Sequence, residues 1–101
     1  MDRVLVTTKY RGVFSGQLKS RSVLGDLTSG SEASQTVVLT ECRNCLYWDS
    51  SVKGFLGLAV DGPGSGCRIG PPAVETELFA VTSITKMTQR ASERWDSAPW
   101  K

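Results

Sequence analysis

The stretch that decides the fold runs from Thr36 to Pro72 and reads TVVLTECRNCLYW (36–48), DSSVKGFLGLAV (49–60) and DGPGSGCRIGPP (61–72). Its first part is rich in β-branched and aromatic residues, and the close spacing of the apolar residues predicts a long or bulged central strand. Its last part is a glycine-dense turn, in which prolines exclude a helix and glycine lets the backbone approach a ligand closely. We expect the other segments to pack against this strand and this turn.

Strand patterns flank the stretch on both sides. VLVTT (4–8) predicts a first strand, and GVFSGQLKSR (12–21) alternates between its two faces in the way that is typical of a half-buried strand. Residues 23–35 are polar, rich in glycine and serine and without periodicity, which predicts a flexible loop. GFLGLAV (54–60) is apolar without clear alternation, so a strand and a buried turn both remain open. LFAVTSIT (78–85) predicts a last strand.

The C-terminal segment predicts one short helix over residues 88–98. Thr88 is suited to cap it, and Ala91, Trp95 and Ala98 fall at i, i+4 and i+7 along one apolar face. Such a helix is expected to lie over the sheet or over one end of an open barrel.

Length and composition indicate one small domain. The chain has 101 residues, of which 40% are hydrophobic and 22% are charged, as is usual for a single globular domain. About five strands, one late helix and no internal repeat predict a mainly β (α+β) domain over residues 1–101. We expect a small curled sheet or an SH3-like or OB-like barrel, and the alternative is a two-layer α+β sheet.

The charge balance and the absence of a long apolar run limit the partners. Twelve basic and ten acidic residues leave a formal charge of +2, too balanced for binding nucleic acid by bulk charge, so any anion site must be local. No apolar run is long enough to span a membrane, and the charged N-terminus is unlike a signal peptide. We therefore expect a protein of the bacterial cytoplasm with no membrane partner.

The absence of histidine is the main constraint on catalysis. It removes the Ser-His-Asp and Cys-His arrangements and every zinc site that uses histidine within one chain. Asp49 and Asp61 flank residues 54–60 and could form a hydrolytic carboxylate pair, but turn-capping aspartates are far more common. The sequence therefore predicts a protein that is not an enzyme and has no cofactor.

The chain has an odd number of cysteines: Cys42, Cys45 and Cys67. An odd number favours reduced thiols, although a disulfide between two of the three remains an alternative. Cys42 and Cys45 have the CxxC spacing, but strand alternation places them on opposite faces, which disfavours redox catalysis. A zinc site would take Cys67 as its third thiolate and would need a fourth ligand from Asp, Glu or another subunit. Packed, structural cysteines are the favoured interpretation.

The strongest candidate for a binding site combines the glycine turn with basic and aromatic side chains. Backbone N–H groups of the turn could form a nest for phosphate or carboxylate, and arginines with aromatic rings suit a nucleotide or a single-stranded nucleic acid. The candidate ligand-binding residues are Arg11, Arg43, Arg68, Tyr47, Trp48, Gly64, Ser65 and Gly66. The alternatives are a tight turn that needs positive φ, aromatic residues in the core and a solvated charged surface.

Four segments of the chain, in their order, resemble a family of small uncharacterised proteins encoded by bacteriophages and prophages. These segments are RVLVTTKYRGVFSGQL, ECRNCLYWDSSVKGFLGLA, GPGSGCRIGPP and ERWDSAPW, and the recurring family motifs are VLVTT, RGVF, a segment like ARNCIYW and GPTSGCRIG. The resemblance covers nearly the whole chain except residues 23–35, where this sequence carries a longer loop. Ser15 stands where a bulkier residue is expected, and Glu41-Cys42 stands where the family has small residues.

The resemblance implies an accessory function, and small phage proteins often bind a host protein or sequester a signalling nucleotide. We therefore expect a non-enzymatic binding protein, in particular a counter-defence protein that sequesters an anionic, nucleotide-type signal. Its expected partners are a small anionic ligand or a host protein, and a second copy of the chain in a homo-oligomer. The alternatives are a protein-interaction or nucleic-acid-binding β-barrel, and a zinc or thiol protein.

Overall fold

The structure is a computed structural model that describes residues 3–9, 12–24 and 34–99. Within these ranges the elements are β1 (Arg3–Thr8), β2 (Gly12–Leu24), β3 (Ser34–Tyr47), α1 (Gly54–Val60), β4 (Arg68–Ile69), β5 (Ala73–Leu78), β6 (Val81–Lys86) and α2 (Gln89–Ser97). The prediction of a mainly β domain with a helix near the C-terminus is confirmed. Neither helix in this part of the chain has the length and apolar character needed to cross a bilayer.

The strands form one antiparallel sheet that is curled but not closed. Its hydrogen-bonded order is β4-β3-β2-β1-β6, and β5 also pairs with β3, on the edge that β4 uses. The outer strands β5 and β6 are joined by only two residues, Phe79 and Ala80. Because two residues span only a few ångströms, roughly 7 Å, the sheet must curl to bring these strands together. Of the predicted alternatives, the chain therefore adopts the curled sheet.

β3 was predicted to be the central strand. It pairs with three strands, β2, β4 and β5, whereas β2 lies in the middle of the strand order. β3 also contains a bulge. Ser15 pairs with Arg43 and Gln17 with Thr40, so β3 has one residue more than β2 between these pairs. Glu41 lies at this point with φ of 53°, a left-handed conformation that is uncommon outside glycine. The bulge sets the direction in which the later side chains of β3 point.

The sheet separates two apolar clusters. On β1, Leu5 belongs to one cluster and Val4 and Val6 to the other, as strand alternation requires. The helix-face cluster consists of Leu5, Cys45, Val52, Leu58, Ala59, Cys67, Ile69, Met87, Ala91 and Trp95. The concave-face cluster consists of Val4, Val6, Val37, Leu39, Cys42 and Leu78. Leu78 of β5 and Ile84 of β6 both pack in the second cluster, which identifies it as the inside of the curl.

Residues 54–60 form helix α1, so the prediction of a strand or a buried turn was wrong. Lys53 and Gly54 enter the helix with φ of 59° and 79°. At Gly57 an added Cβ would lie 1.5 Å from the carbonyl oxygen of Val52, so only glycine allows the helix to pack on the preceding 3-10 turn, Ser50–Val52. A seven-residue helix is unstable alone, and tertiary contacts of this kind stabilise it.

The last predicted strand and the predicted loop differ from the structure at their limits. LFAVTSIT is divided between two strands, because β5 ends at Leu78 and β6 begins at Val81, with Ala80 at φ of 54° between them. β2 continues to Leu24 and β3 begins at Ser34. The rest of the predicted loop 23–35 lies outside the described residues.

The C-terminal helix is confirmed, and it begins at its predicted cap. Thr88 Oγ1 accepts a hydrogen bond from the backbone N–H of Ala91 at 3.0 Å and donates to the carbonyl of Val60 at 2.6 Å. Trp95 is fully buried, and its Nε1 donates to the carbonyl of Leu58 at 3.1 Å. Side-chain hydrogen bonds therefore join α2 to α1 at both of these residues.

Candidate functional site

Arg43 is a buried arginine beneath the C-terminal end of α2. Only 4% of it is exposed. Its Nε donates to the carbonyl of Gly70 at 2.8 Å, and its Nη1 donates to the carbonyl of Trp95. Trp95 lies near the end of α2, where carbonyl groups lack helical partners and a cation is stabilised by the helix dipole. The side chain thus links β3 to α2 and to the residue that follows β4.

One guanidinium nitrogen of Arg43 has no partner within the described protein. Nη2 is buried without a hydrogen bond, and so is Oγ of Ser15, which pairs with Arg43 across the β2–β3 ladder. A buried donor left without an acceptor costs about 1–3 kcal/mol, and more when it is charged. A ligand atom or a water that accepts from Nη2 would recover a stabilisation of this order.

Two carboxylates and a second arginine lie around Arg43. Arg3 Nη2 donates to Asp96 Oδ1 at 2.7 Å, and Arg3 Nη1 lies 3.6 Å from Glu41 Oε2. Burial lowers the pKa of Arg43, Asp96 raises it and Arg3 lowers it. The two cations balance the two carboxylates, but the Glu41 and Asp96 side chains are 64% and 60% exposed, so the acceptors are at the surface and the free donor is below.

A pocket opens beside this cluster, and we call it the Arg43 pocket. Its volume is about 240 Å³, and it is lined by Glu41, Arg43, Pro72, Asp96 and Ala98. Glu41 is the bulge residue of β3, whereas Asp96 and Ala98 belong to the end of α2 and the residue after it. The pocket therefore depends on the bulge and on the hydrogen bonds that hold α2 over β3.

The glycine turn lines a neighbouring hollow, the turn pocket. This pocket has a volume of about 310 Å³ and is lined by Pro63, Gly64, Ser65, Arg94, Ser97, Ala98 and Pro99. A smaller hollow of about 180 Å³ shares Gly64 and Ser65 and extends to Cys67 and Ile69. Because Ala98 lines both the Arg43 pocket and the turn pocket, the structure brings Arg43, Gly64 and Ser65 to adjoining hollows.

Two glycines of the turn are required by packing. A Cβ at Gly66 would lie 2.0 Å from Oδ2 of Asp49, so the carboxylate occupies the space that any side chain would need. Gly62 has φ of 80°, and a Cβ there would lie 2.7 Å from Cβ of Arg94. Asp61, for its part, lies 3.9 Å from Nε of Arg90. The turn is therefore tight and needs positive φ at Gly62, as in the alternative to an anion-binding nest. Asp49 and Asp61, the possible carboxylate pair, have different neighbours.

The other predicted site residues that the structure describes do not line either pocket. Tyr47 and Arg68 are partners across the β3–β4 ladder, and both are exposed. Trp48 packs against the helix-face cluster. Ile69 points into that cluster, so strand alternation directs Arg68 away from the face on which Arg43 lies. Arg11 lies outside the described residues.

The three cysteines are free, buried thiols. Cys42 lies in the concave-face cluster and Cys45 and Cys67 in the helix-face cluster, so the predicted opposite-face placement of the CxxC cysteines is confirmed. Burial raises the pKa of Cys45 to about 11, Cys67 raises it further, and a hydrogen bond with the backbone of Tyr47 lowers it. Burial also raises the pKa of Cys42. Among residues 3–9, 12–24 and 34–99, no group of three acidic or cysteine side chains is placed to hold a metal ion.

Sequence reasoning missed the contribution of the two chain ends to this site. Asp96 and Ala98 follow Trp95 in the segment that sequence analysis assigned to packing, and Arg3 contacts Asp96 across 93 positions of the chain. A contact between residues so far apart in the sequence leaves no local sequence pattern. The available signal was chemical: two charged residues flank buried positions, Arg3 before Val4 and Asp96 after Trp95.

Comparisons with known proteins give a family. No curated protein and no solved structure matches the chain. The family described as "Domain of unknown function (DUF6948)" matches residues 1–95, a range that contains every strand of the sheet, the glycine turn and most of α2. The chain therefore belongs to the DUF6948 family of domains of unknown function.

Proposed function

We propose that this protein is a small, non-enzymatic binding protein that holds a small anionic ligand in the Arg43 pocket and the turn pocket. The observation that carries the proposal is Nη2 of Arg43, a buried charged donor without a partner, on a residue that lines a pocket of about 240 Å³. Native proteins pair the great majority of their buried donors, so such a group favours an occupant that completes its hydrogen bonds.

The size and charge of the two pockets limit the ligand. Typical small-molecule sites enclose about 300–1,000 Å³, and each pocket alone lies at or below the lower end of that range. The cluster around Arg43 is neutral, and the turn pocket adds only the charge of Arg94. Both features favour a small ligand with one or two negative charges over a polyphosphate.

The lining residues support holding a ligand and not transforming it. Glu41 and Asp96 are ion-paired with Arg3, and the hydroxyls of Ser65 and Ser97 are weak nucleophiles unless a base activates them. The chain contains no histidine to act as that base. Binding alone therefore requires less of these residues than catalysis would.

The narrower form of the proposal makes the ligand a nucleotide-type signal and the protein an accessory factor of a bacteriophage. It is supported by the resemblance of VLVTT, RGVF and RNCLYW to motifs of phage-encoded proteins. A protein that sequesters a host defence signal in the cytoplasm acts stoichiometrically, and so it needs affinity but no catalytic group.

Ligand-dependent melting and calorimetry test the proposal. The panel contains nucleoside monophosphates, diphosphates, cyclic nucleotides and small carboxylates. A ligand present at 100 times its Kd stabilises the folded state by about 2.7 kcal/mol, which raises the Tm of a domain of this size by roughly 10 °C. A panel in which no member shifts the Tm at millimolar concentration contradicts the proposal.

A pair of variants locates the site. Ala98→Phe fills the space between the two pockets, and Val74→Phe adds a similar ring at an 89% exposed residue of β5 that lines neither pocket. We expect the first variant, once circular dichroism shows it to be folded, to lose the ligand-induced shift and the second to keep it. A shift that persists in Ala98→Phe would place the ligand elsewhere and overturn the assignment.

A second candidate function is self-association through β5. Among the described strands β5 pairs only with β3, so one edge of it is open, and Val74 on this strand is 89% exposed. Open strand edges pair readily with other chains. Light scattering that shows a dimer, together with its loss in Val74→Lys, supports this candidate, and a monomer at high micromolar concentration contradicts it.

A further inference from the structure

We propose that the Arg43 pocket is a nucleobase subsite that selects guanine, and that the phosphate of the same nucleotide occupies the turn pocket beside Arg94. This inference rests on the proposed function, because it names the ligand class of the same site. It is drawn from one hollow that is lined by a buried arginine with an unpartnered nitrogen and by two exposed carboxylates.

The polar groups of the Arg43 pocket divide sharply into donors and acceptors. A guanidinium nitrogen can only donate, and an ionised carboxylate can only accept. Arg43 Nη2 is the buried free donor, and the carboxylates of Glu41 and Asp96 stand at the exposed side. A carboxylate has about four acceptor sites, so both keep acceptor capacity after their contacts with Arg3. An occupant must therefore present an acceptor to the buried side and N–H donors to the exposed side.

Among the nucleobases, guanine fits this arrangement best. It carries O6 and N7 as acceptors, which are the commonest targets of arginine on a base. Beside O6 it carries the N1–H group and the N2 amino group, which are adjacent donors for carboxylates. Adenine and cytosine offer one amino group beside ring acceptors, and uracil offers one N–H between two carbonyls. Each of these three would turn an acceptor toward a carboxylate, which is unfavourable.

The same carboxylates direct the phosphate to the turn pocket. A phosphate at Arg43 Nη2 would lie close to Glu41 and Asp96, and like charges at short range repel. The described lining residues of the turn pocket include no carboxylate and supply Arg94, with the hydroxyl of Ser65 as a further donor. Ala98 lines both hollows, so one nucleotide can place its two ends in them.

The walls of the Arg43 pocket suit the flat faces of a base. Pro72 and Ala98 are the remaining lining residues, and both are small and apolar. Ligand sites commonly combine such apolar walls with a few polar groups that fix orientation. Orientation here would come from Arg43 on one side of the ring and from the carboxylates on the other.

Calorimetry with four matched compounds tests the inference: GMP, IMP, AMP and guanosine, at one salt concentration. We expect GMP to bind most tightly, IMP several-fold more weakly because it lacks the 2-amino group, and AMP about tenfold or more weakly because its edge is reversed. Guanosine should bind more weakly than GMP because it lacks the phosphate.

Two variants separate the base subsite from the phosphate subsite. Glu41→Gln should reduce the preference for GMP over AMP and leave the ratio of GMP to guanosine unchanged. Arg94→Gln should do the reverse. Glu75→Gln, which removes an exposed carboxylate on β5, is the matched control and should change neither ratio.

The outcomes distinguish this inference from the function on which it rests. Equal binding of GMP and AMP, or an unchanged preference in Glu41→Gln, overturns guanine selection while nucleotide binding stands. Binding of a non-nucleotide anion from the wider panel, with no binding of any nucleotide, overturns the inference and leaves the proposed function in place. No binding by any compound overturns both.

Discussion

The two faces of the sheet are stabilised in different ways. On the concave face, apolar side chains such as Val6 and Leu39 are brought together by the curl of the sheet. On the helix face, hydrogen bonds cross the apolar cluster: Trp95 donates to the carbonyl of Leu58, and Arg43 donates to the carbonyl of Trp95. Apolar contact is non-directional, so directional hydrogen bonds are needed to hold α2 in one position over the sheet. The candidate site lies where these bonds reach the surface.

The largest expected effect comes from Trp95→Ala compared with Leu39→Ala. Both residues are fully buried, one on each face. Trp95→Ala should lower the free energy of unfolding by about 5 kcal/mol, because a large cavity and the loss of the bond to Leu58 add together. Leu39→Ala should lower it by about 3 kcal/mol.

Urea denaturation monitored by circular dichroism measures both values. Trp95→Phe is the control, since it keeps most of the buried ring, loses the N–H donor and should cost about 1–2 kcal/mol. Equal losses for Trp95→Ala and Leu39→Ala, with no loss for Trp95→Phe, would show that hydrogen bonding does not distinguish the two faces.

The next largest effect is expected from Arg43→Met compared with Arg68→Met. Arg43→Met leaves the carbonyls of Gly70 and Trp95 without their donor, and the apolar side chain only partly offsets this, so we expect a loss of about 2–3 kcal/mol. Arg68 is exposed, and its replacement should change the stability by less than about 0.5 kcal/mol. Similar urea midpoints for the two variants would contradict a bracing role for Arg43.

Features that depend on a single helix or strand could be predicted from the sequence. The stripe of Ala91 and Trp95 and the cap at Thr88 are local patterns, and both are confirmed. Alternation along a strand also predicted the opposite placement of Cys42 and Cys45. These features needed only the geometry of a single element.

The candidate site could be predicted only in part, because it is made by contacts between distant elements. The sequence pointed to Arg43 and to the Gly64-Ser65 turn, but no local pattern shows that Arg43 is buried beneath α2. Helix α1 escaped prediction for a related reason: its Gly57 fits against the Val52 carbonyl, and its residues have no polar face to reveal the helical period.

A smaller effect isolates one polar link between the helices. Thr88→Ala removes both the cap on Ala91 and the bond to the Val60 carbonyl, and should cost about 1–2 kcal/mol. Thr88→Ser keeps the hydroxyl and should cost less than about 0.5 kcal/mol. Thermal melting of the two variants measures the difference. If alanine and serine were equivalent, the hydroxyl would contribute nothing to the attachment of α2.

The smallest expected effect is on the pH dependence of the free energy of unfolding, and it compares Cys45 on the helix face with Cys42 on the concave face. Burial raises the pKa of Cys45 to about 11 from its usual 9.0. Because the folded state favours the neutral thiol, this contribution to stability is complete below about pH 9 and declines as the pH rises toward 11, with a loss of about 1 kcal/mol at pH 10. Burial raises the pKa of Cys42 as well, so the sign is the same on the concave face.

Urea denaturation between pH 8 and pH 10, in the wild type and in Cys45→Ala, isolates the Cys45 contribution from lysine and tyrosine titration. The wild type should lose about 1 kcal/mol more than the variant over this interval. Cys42→Ala should flatten the profile less, since only on the helix face does a second thiol, Cys67, lie close enough to add to the rise. Parallel profiles for the wild type and Cys45→Ala would mean that Cys45 ionises as readily in the folded chain as in the unfolded one. Water would then reach Cys45 in the folded state, and the helix-face cluster would not shield β3 from solvent.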